Sequence, residues 1–454
     1  MESHLIDGVL ALDAGGVARV AMQIWTGATV FDFVFAAGGV IFFALFLPAY
    51  VGYVRNRQDR ELNSFPLGLL LGFSLDAALL GAYGTYDVSW NGGIFAILSV
   101  ILLALSLWAS LWGVFSSEPA SRPSACGNSG ESSWAQLLPW LGFGPFLFLQ
   151  MLLFQNLARL VTLTEWSYPI AFAWMLSSHA VGLLLVVWIM GRGQRMQWPL
   201  LIISGVVLIT SVTTPSSGAT LDALLFLLGQ VSCAILLAII AGGIVSGIRS
   251  PGLLRTTVSH GLGMITLLAL VFAYYAAFDI DLPYDNAVLP TLAGIGLFVC
   301  AICALRFHPK QEYHVTVSWL PAQIALTLVV VPLVWMLTWE TPQTDDGIGF
   351  PVRIANYNLH NGFNINGHLG MEAIAQVIEA EDPDVVGLQE ISRGWVISGS
   401  LDMLTWLSHR LDMPYIYGPS TGHLWGNAML SRYPILEWEN VSLPPENLLL
   451  SRGY

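Results

Sequence analysis

Long apolar runs separated by short polar segments fill the first three quarters of the chain. Ten such runs lie between residues 27 and 339. Each is close to the roughly 20 apolar residues that an α-helix needs to cross the hydrocarbon core of a bilayer. They occupy residues 27–53, 65–84, 93–115, 134–158, 169–190, 197–213, 220–247, 258–280, 285–306 and 319–339. The pattern predicts a multi-pass α-helical membrane domain over residues 1–340, with about ten transmembrane helices.

The periodicity changes after a polar linker at residues 341–351. Strand-like alternation in "VRIANYN" is followed by helical spacing in "GMEAIAQVIEAEDPD" and by a short buried strand, "DVVGLQE". A second helical segment, "LDMLTWLSHRLDM", precedes two further strands, "YIYG" and "GNAMLSRYPI". This order of strands and helices predicts a layered α/β sandwich in the last quarter of the chain.

Composition supports this division into two parts. Only 10% of the residues are charged, against about 25% in an ordinary soluble domain. The net charge of −13 is uneven, because residues 340–454 hold 14 acids and 5 bases. An acidic surface repels nucleic-acid phosphate, since nonspecific binding depends on Lys and Arg releasing counterions. The C-terminal part therefore resembles a water-soluble domain for which generic nucleic-acid binding is disfavoured.

Basic residues in the connections between the apolar runs indicate how the chain is oriented. Alternate connections carry ten Lys or Arg residues, whereas the connections on the opposite side carry only Arg159. Lys and Arg are retained on the cytoplasmic side of a membrane. The segment after the last run falls on the base-poor side, so the C-terminal domain is predicted to be extracytoplasmic.

One acidic side chain lies inside a predicted span. Asp76 occurs in "GFSLDAALLG", and a charge at the centre of a bilayer costs about 3 kcal/mol on insertion scales. Two interpretations stay open for it. Asp76 either belongs to a lipid-headgroup or ion site within the bundle, or it makes an interhelical hydrogen bond or lies at the interface.

Polar residues close two of the predicted strands in the C-terminal part. Asn358 ends the first strand, and Gln389 and Glu390 end the second. If the strands are neighbours, these side chains meet at one edge of the sheet. A carboxylate is a suitable ligand for Mg²⁺, and an Asn can orient a phosphate oxygen. The same residues are also common as strand caps and turn residues, so this pattern alone is weak evidence for a site.

Three segments taken together resemble a known family. "VRIANYNLHNG", "PDVVGLQE" and "GNAMLSRYPI" are similar, in this order, to successive motifs of the endonuclease/exonuclease/phosphatase superfamily. The resemblance implies a four-layer α/β sandwich and a Mg²⁺- or Mn²⁺-dependent phosphoric-ester hydrolase. It implies catalytic roles for Asn358 and Glu390, with Glu390 as the metal ligand. It places Gln389, His360 and Asn427 at the substrate.

The resemblance is also incomplete. Members of the superfamily use a further Asp-x-Asn pair and a late Asp-His pair, and the segments after "GNAMLSRYPI" supply neither. We therefore expect residues 352–454 to form the N-terminal portion of such a domain, a partial and truncated sandwich that holds half of an active site. Whether the chain is an enzyme stays open on this evidence.

Three functions are compatible with this layout. Helices followed by such a domain resemble membrane proteins that remodel the lipid of glycosylphosphatidylinositol anchors, and prokaryotic proteins of the same layout. This implies the bilayer and a lipid or lipid-linked phosphodiester as partners, with hydrolysis at the outer membrane face. The second possibility is a membrane-anchored nuclease or phosphatase. The third is a non-enzymatic transporter or scaffold with a degenerate domain, and the oligomeric state is open in all three.

The topology can be tested by reporter fusion. A reporter that is active only outside the cytoplasm, fused after residue 345, is expected to be active because residue 345 follows the last span on the base-poor side. A fusion to the base-rich connection at residue 122 serves as the control and is expected to be silent. Activity of a cytoplasm-specific reporter at residue 345 would contradict the predicted topology.

Overall fold

The computed structural model describes residues 29–56, 64–88, 90, 93–116, 136–190, 194–246, 252–306, 317–346, 349–365, 367–443 and 452–453. The predicted membrane domain is therefore described from residue 29 onward, and residues 1–28 lie outside the described part. Within the described part, every predicted apolar run is helical. The helices are α1 (Thr29–Asn56), α2 (Ser64–Ala82), α3 (Ile94–Ser116), α4 (Leu138–Leu141), α5 (Phe143–Leu149), α6 (Leu157–Thr164), α7 (Tyr168–Met190), α8 (Gln194–Thr213), α9 (Ala219–Ser246), α10 (Leu253–Asp279), α11 (Val288–Arg306), α12 (Leu320–Leu328) and α13 (Val330–Thr338).

The apolar helices are those of a multi-pass membrane protein. Of the described helices, seven are long and apolar enough to cross a membrane, with α12 and α13 counted together as one. An eighth crossing results if the bent pair Leu138–Phe154 and Leu157–Thr164 forms one span. Two further helices are apolar over the shorter stretches Ala37–Gly52 and Ile94–Ser106. These ten elements correspond to the ten runs seen in the sequence.

The fourth apolar run is broken rather than continuous. A π-helical turn, Gln150–Phe154, follows α5, and the axis bends by 42° before α6. Asn156 is the N-cap of α6, and its Oδ1 accepts a hydrogen bond from the backbone N–H of Arg159 at 3.0 Å. Such a cap matters here because lipid cannot satisfy the free N–H groups at a helix start. The break places two polar side chains, Gln155 and Asn156, at the end of the span.

Helix α9 lies at the centre of the bundle and packs against α2, α7, α8 and α11. Small residues allow the close approach between helices. A Cβ at Gly243 would lie 2.8 Å from Ala304 Cβ, and one at Gly144 would collide with the backbone of Gly263. Close packing of this kind drives helix association in a bilayer. The hydrophobic effect does not bring helices together there, because lipid tails are as apolar as the side chains.

The C-terminal part is an α/β unit with helices on one face of its sheet. Strands β1 (Ile354–Asn358), β2 (Val385–Ser392), β3 (Tyr415–Thr421) and β4 (Trp425–Ser431) form a sheet of order β1-β2-β4-β3. Helix α14 (Met371–Glu381) connects the parallel strands β1 and β2, and α15 (Met403–Leu411) precedes β3. The remaining pairs in this sheet are antiparallel. A separate pair is formed by β5 (Ser442–Leu443) and β6 (Arg452–Gly453).

The alternation of apolar and polar side chains along the strands determines which face of the sheet the helices cover. Val386 and Leu388 of β2 and Leu430 of β4 are fully buried against Met371 of α14 and Leu404 of α15. The other face carries the polar ends of β1 and β2. The predicted strands and helices are thus confirmed, and the fold is a multi-pass helical membrane domain followed by an α/β unit, of which the described residues form a sheet layer and a helix layer.

The C-terminal part rests directly on the ends of the membrane helices. Asn156 Nδ2 donates a hydrogen bond to the Gly394 carbonyl at 2.6 Å. The backbone N–H of Val396 donates to the Tyr275 hydroxyl at 2.7 Å. Trp395, between these two contacts, stacks on Phe278 with ring centroids 5.2 Å apart. The segment that follows β2 is therefore the main docking segment, and it meets the ends of the broken fourth run and of α10.

A buried ion pair supports this docking segment. Arg393 Nε and Nη2 donate to the two carboxylate oxygens of Asp402 at 2.9 and 2.8 Å, and both side chains are nearly inaccessible to solvent. The guanidinium also lies over the rings of Tyr415 and Tyr417. Burial opposes the charge on Arg393, but the adjacent Asp402 carboxylate outweighs burial and holds the pKa of Arg393 above its usual value. The Asp402 backbone N–H donates to Thr85 Oγ1 at 2.8 Å, which extends the network to the end of α2.

Replacing Arg393 by Met should destabilise the C-terminal part strongly. The Asp402 carboxylate would then be buried without its counter-charge, and loss of one partner of a buried pair costs about 3–5 kcal/mol. Hydrogen exchange of the β2 and α15 amides in the full chain, as a function of denaturant, measures this free energy of local unfolding.

The matched control is Arg410→Met. Arg410 pairs with Glu372 and Glu379 at 2.7 and 2.6 Å, but these side chains are one-third to one-half exposed. Surface pairs contribute about 0–1 kcal/mol. Equal losses for the two variants would contradict a dominant role of the Arg393–Asp402 pair.

Candidate active site at the end of β1 and β2

The parallel pairing of β1 and β2 brings together the two predicted catalytic residues. Asn358 pairs in register with Gln389, so Glu390 lies one residue beyond the end of β1. Asn358 Nδ2 donates a hydrogen bond to Glu390 Oε1 at 3.0 Å. Asn358 Oδ1 accepts from the backbone N–H of His360 at 2.8 Å. The Asn358 amide is thereby oriented from both ends, with its N–H group toward the carboxylate.

A β-bulge determines where the Glu390 side chain lies. Leu388 pairs with Ala428 and Ile391 pairs with Gly426, so two residues of β2, Gln389 and Glu390, face the single residue Asn427 of β4. Glu390 has φ +58°, in the left-handed region that is unfavourable for residues with a side chain. Bulges of this kind redirect side chains and are frequent next to active sites. The bulge takes Glu390 out of the strand alternation and keeps Asn427 adjacent to it.

Gln389 connects the two strands behind Glu390. Its Nε2 donates to Asn356 Oδ1 at 2.6 Å, and its backbone carbonyl accepts from the Leu359 N–H at 3.0 Å. The second contact fixes the start of the turn after β1. The partner of the Gln389 side chain is thus Asn356, a residue that sequence reasoning did not identify. The signal was present, because Asn356 lies two positions before Asn358 and strand residues two apart share a face.

The turn after β1 carries His360 and has an unusual backbone. His360, Asn361 and Gly362 have φ values of +48°, +54° and +77°. The N–H groups of His360, Gly362 and Phe363 are all used in hydrogen bonds within the turn. His360 Nδ1 lies 3.3 Å from the Phe363 carbonyl. Strain of this kind concentrates at functional sites.

Asn361 was also missed by sequence reasoning. Its Oδ1 is buried and has no hydrogen-bond partner. Buried polar atoms are nearly always paired, so Asn361 Oδ1, three residues after Asn358 in the chain, is an acceptor of unused capacity. The sequence signal is the repeated Asn in "NYNLHNG", where the third Asn occupies a turn position.

The charge of Glu390 is available to a cation. Arg393, Arg410 and Arg432 pair with other carboxylates, and no ion pair in the described part of the chain includes Glu390. The described residues also contain no group of three or more His, Cys, Asp or Glu side chains that could hold a metal. Among the described residues Glu390 is thus the carboxylate that could hold Mg²⁺ here, since this ion usually keeps several waters and binds through one or two carboxylates plus substrate phosphate.

The left-handed backbone at Glu390 leads to an unusual prediction for stability. Glu390→Gly is expected to be more stable than Glu390→Ala by about 1 kcal/mol, because glycine adopts this φ without strain. Glycine is ordinarily the less stable choice in a strand, so the sign is diagnostic. Hydrogen exchange of the β2 amides measures the difference. The same pair of substitutions at Met429, which lies in regular β4, should show the opposite order.

One comparison with known proteins bears on this site. Residues 352–448 match the family model described as "PGAP2IP, C-terminal nuclease-like domain". The match begins just before β1 and includes all five predicted site residues. The C-terminal part is therefore similar to a nuclease-like domain and has a fold of the phosphodiesterase or hydrolase type.

Proposed function

We propose that the protein is a membrane-embedded, metal-dependent phosphodiesterase that acts on lipids or lipid-linked phosphodiesters. The observation that carries the proposal is the Asn358–Glu390 hydrogen bond at a strained bulge, in a hydrolase-like domain fixed to the ends of membrane helices.

The carboxylate of Glu390 is the metal ligand in this proposal. Mg²⁺ or Mn²⁺ bound there would polarise a phosphoryl oxygen as a Lewis acid. Asn358 holds the Glu390 carboxylate through its N–H group, and the bulge keeps both at the open edge of the sheet. In this proposal Asn427, which lies opposite the bulge, contacts a phosphate oxygen of the substrate. His360 lies on the turn beside Asn358 and forms the rim on the other side.

Docking on the bilayer favours a lipid substrate. Gly394, Val396 and Asp402 bond to three different membrane segments, so the C-terminal part is held at the membrane surface at several points. A nuclease or phosphatase would need only one or two spans as an anchor, whereas this chain has at least seven. The membrane partners of these contacts, Thr85 and Asn156 among them, belong to the base-poor side. We therefore assign the C-terminal part to the outer face.

Loss of the carboxylate should weaken both metal binding and turnover. Mn²⁺ titration of the purified full chain, followed by electron paramagnetic resonance, is expected to show at least about tenfold weaker binding for Glu390→Gln. This corresponds to loss of one charge-assisted contact. Release of headgroup phosphate from mixed micelles should fall in parallel. Glu381→Gln is the matched control, because Glu381 is exposed and lies beside the opposite end of β2.

The substrate in the same assay separates the proposal from a nuclease. The nuclease-like family match favours this second candidate, and the acidic composition of residues 340–454 disfavours it. Release of nucleotides from DNA, without hydrolysis of any phospholipid, would support the nuclease. Unchanged Mn²⁺ binding in Glu390→Gln would contradict the proposed role of Glu390 as the metal ligand, whichever substrate is cleaved.

A further inference from the structure

A short hairpin that follows β1 carries a fully exposed isoleucine. The hairpin covers residues 362–370, and its two arms form an antiparallel bridge. Its turn is closed by a hydrogen bond from the Gly367 N–H to the Asn364 carbonyl at 2.9 Å. Ile365 lies in this turn, and its side chain is fully exposed. A single exposed apolar residue is common on protein surfaces, so the position of Ile365 decides what its exposure means.

The hairpin leaves the sheet at the end that faces the membrane. Strands β1 and β2 are parallel, so both end at the same edge of the sheet. The hairpin comes after β1, and the docking segment comes after β2. Within the docking segment, Gly394 and Val396 bond to the ends of membrane helices. The hairpin and the docking segment therefore lie on the same side of the C-terminal part.

The base of the hairpin packs next to residues that contact the membrane domain. Leu359 and Met371, which flank the hairpin, are buried in the same apolar cluster as Tyr86 from the loop after α2. A Cβ at Gly362 would lie 3.0 Å from Met403 Cε. Met403 is the first residue of α15, and the N-cap of this helix bonds to the end of α2. The base of the hairpin is thus held beside the surface of the membrane domain.

The stretch that includes the hairpin carries no charged side chain. Residues 354–371 contain no Asp, Glu, Lys or Arg, whereas residues 340–454 as a whole hold 14 acids and 5 bases. Charged side chains are costly in a bilayer and keep a protein surface in water. An uncharged loop at the membrane end of an acidic domain is therefore suited to contact with lipid.

We propose that the tip of this hairpin, with Ile365, inserts into the interfacial region of the bilayer beside the membrane helices. The hairpin continues an existing contact with the membrane domain, and its lack of charge offers no ion pair to a protein partner. Insertion brings the headgroups of the adjacent leaflet to the sheet end that carries Asn358 and Glu390. It requires neither metal nor hydrolysis, so it can hold or fail independently of the proposed phosphodiesterase.

Spin labels in the full chain, reconstituted in phospholipid nanodiscs, test this contact. A nitroxide attached to Ile365→Cys should be relaxed more strongly by oxygen than by a water-soluble nickel chelate, because oxygen dissolves in lipid and the chelate does not. The unsubstituted chain, taken through the same labelling, measures the background from the native cysteines, of which Cys233 and Cys300 are buried. Ile365 is fully exposed, so the label should not disturb folding.

The matched control is Ile354→Cys. Ile354 is also exposed, and it begins β1 at the end opposite the hairpin. A label there should be relaxed more strongly by the nickel chelate. Equal accessibility of the two labels to the chelate would overturn the proposal, and so would stronger relaxation by oxygen at both positions. Dipolar broadening at position 365 that disappears on dilution with unlabelled chain would identify a second copy as the partner and would likewise overturn it.

Discussion

The Arg393–Asp402 ion pair is the contact on which the arrangement of the two parts depends. Arg393 follows β2 directly, and Asp402 caps α15 by accepting from the Thr405 N–H at 3.1 Å. The Asp402 backbone bonds to Thr85 at the end of α2. A buried pair of this kind contributes little net stability compared with apolar residues, but removal of one partner is costly. Its effect here is to fix one geometry, because sheet, helix and membrane domain all contact the same two residues.

The broken fourth run gives the membrane domain a polar group that contacts the C-terminal part. A straight helix there would use its own backbone bonds and present no polar end to the C-terminal part. At the π-helical turn and the start of α6, the Gln155 side chain donates to Asp76 and the Asn156 side chain donates to the Gly394 carbonyl. Gly394 is required at the contact, because a Cβ there would lie 2.7 Å from Asn156 Oδ1 and its φ is +104°. The break in the fourth run and the positive φ of Gly394 together allow the hydrogen bond between Asn156 and Gly394.

Much of this organisation could be predicted from the sequence, and the reasons for the rest are physical. Apolar length and strand alternation are local properties, so the spans and the order of strands and helices were predictable. The proximity of Asn358 and Glu390 followed from parallel pairing once β1 and β2 were neighbours. The bulge at Glu390 could not be predicted, because it depends on the register between β2 and β4, which lie about 40 residues apart. The partners of Gln155 and Asn156 are likewise tertiary contacts between distant segments.

The segment after β2 connects the candidate site to the membrane helices. Glu390 lies at the bulge of β2, and Gly394 and Val396, which bond to the membrane helices, follow within six residues. Val396 is six residues beyond Glu390, so their Cα atoms are at most about 20 Å apart. The contacts of Gly394 and Val396 with the membrane helices hold this segment still at both ends. Because Gly394 and Val396 are bonded to the membrane helices, the position of β2 and of the strained residue Glu390 depends on the position of those helices.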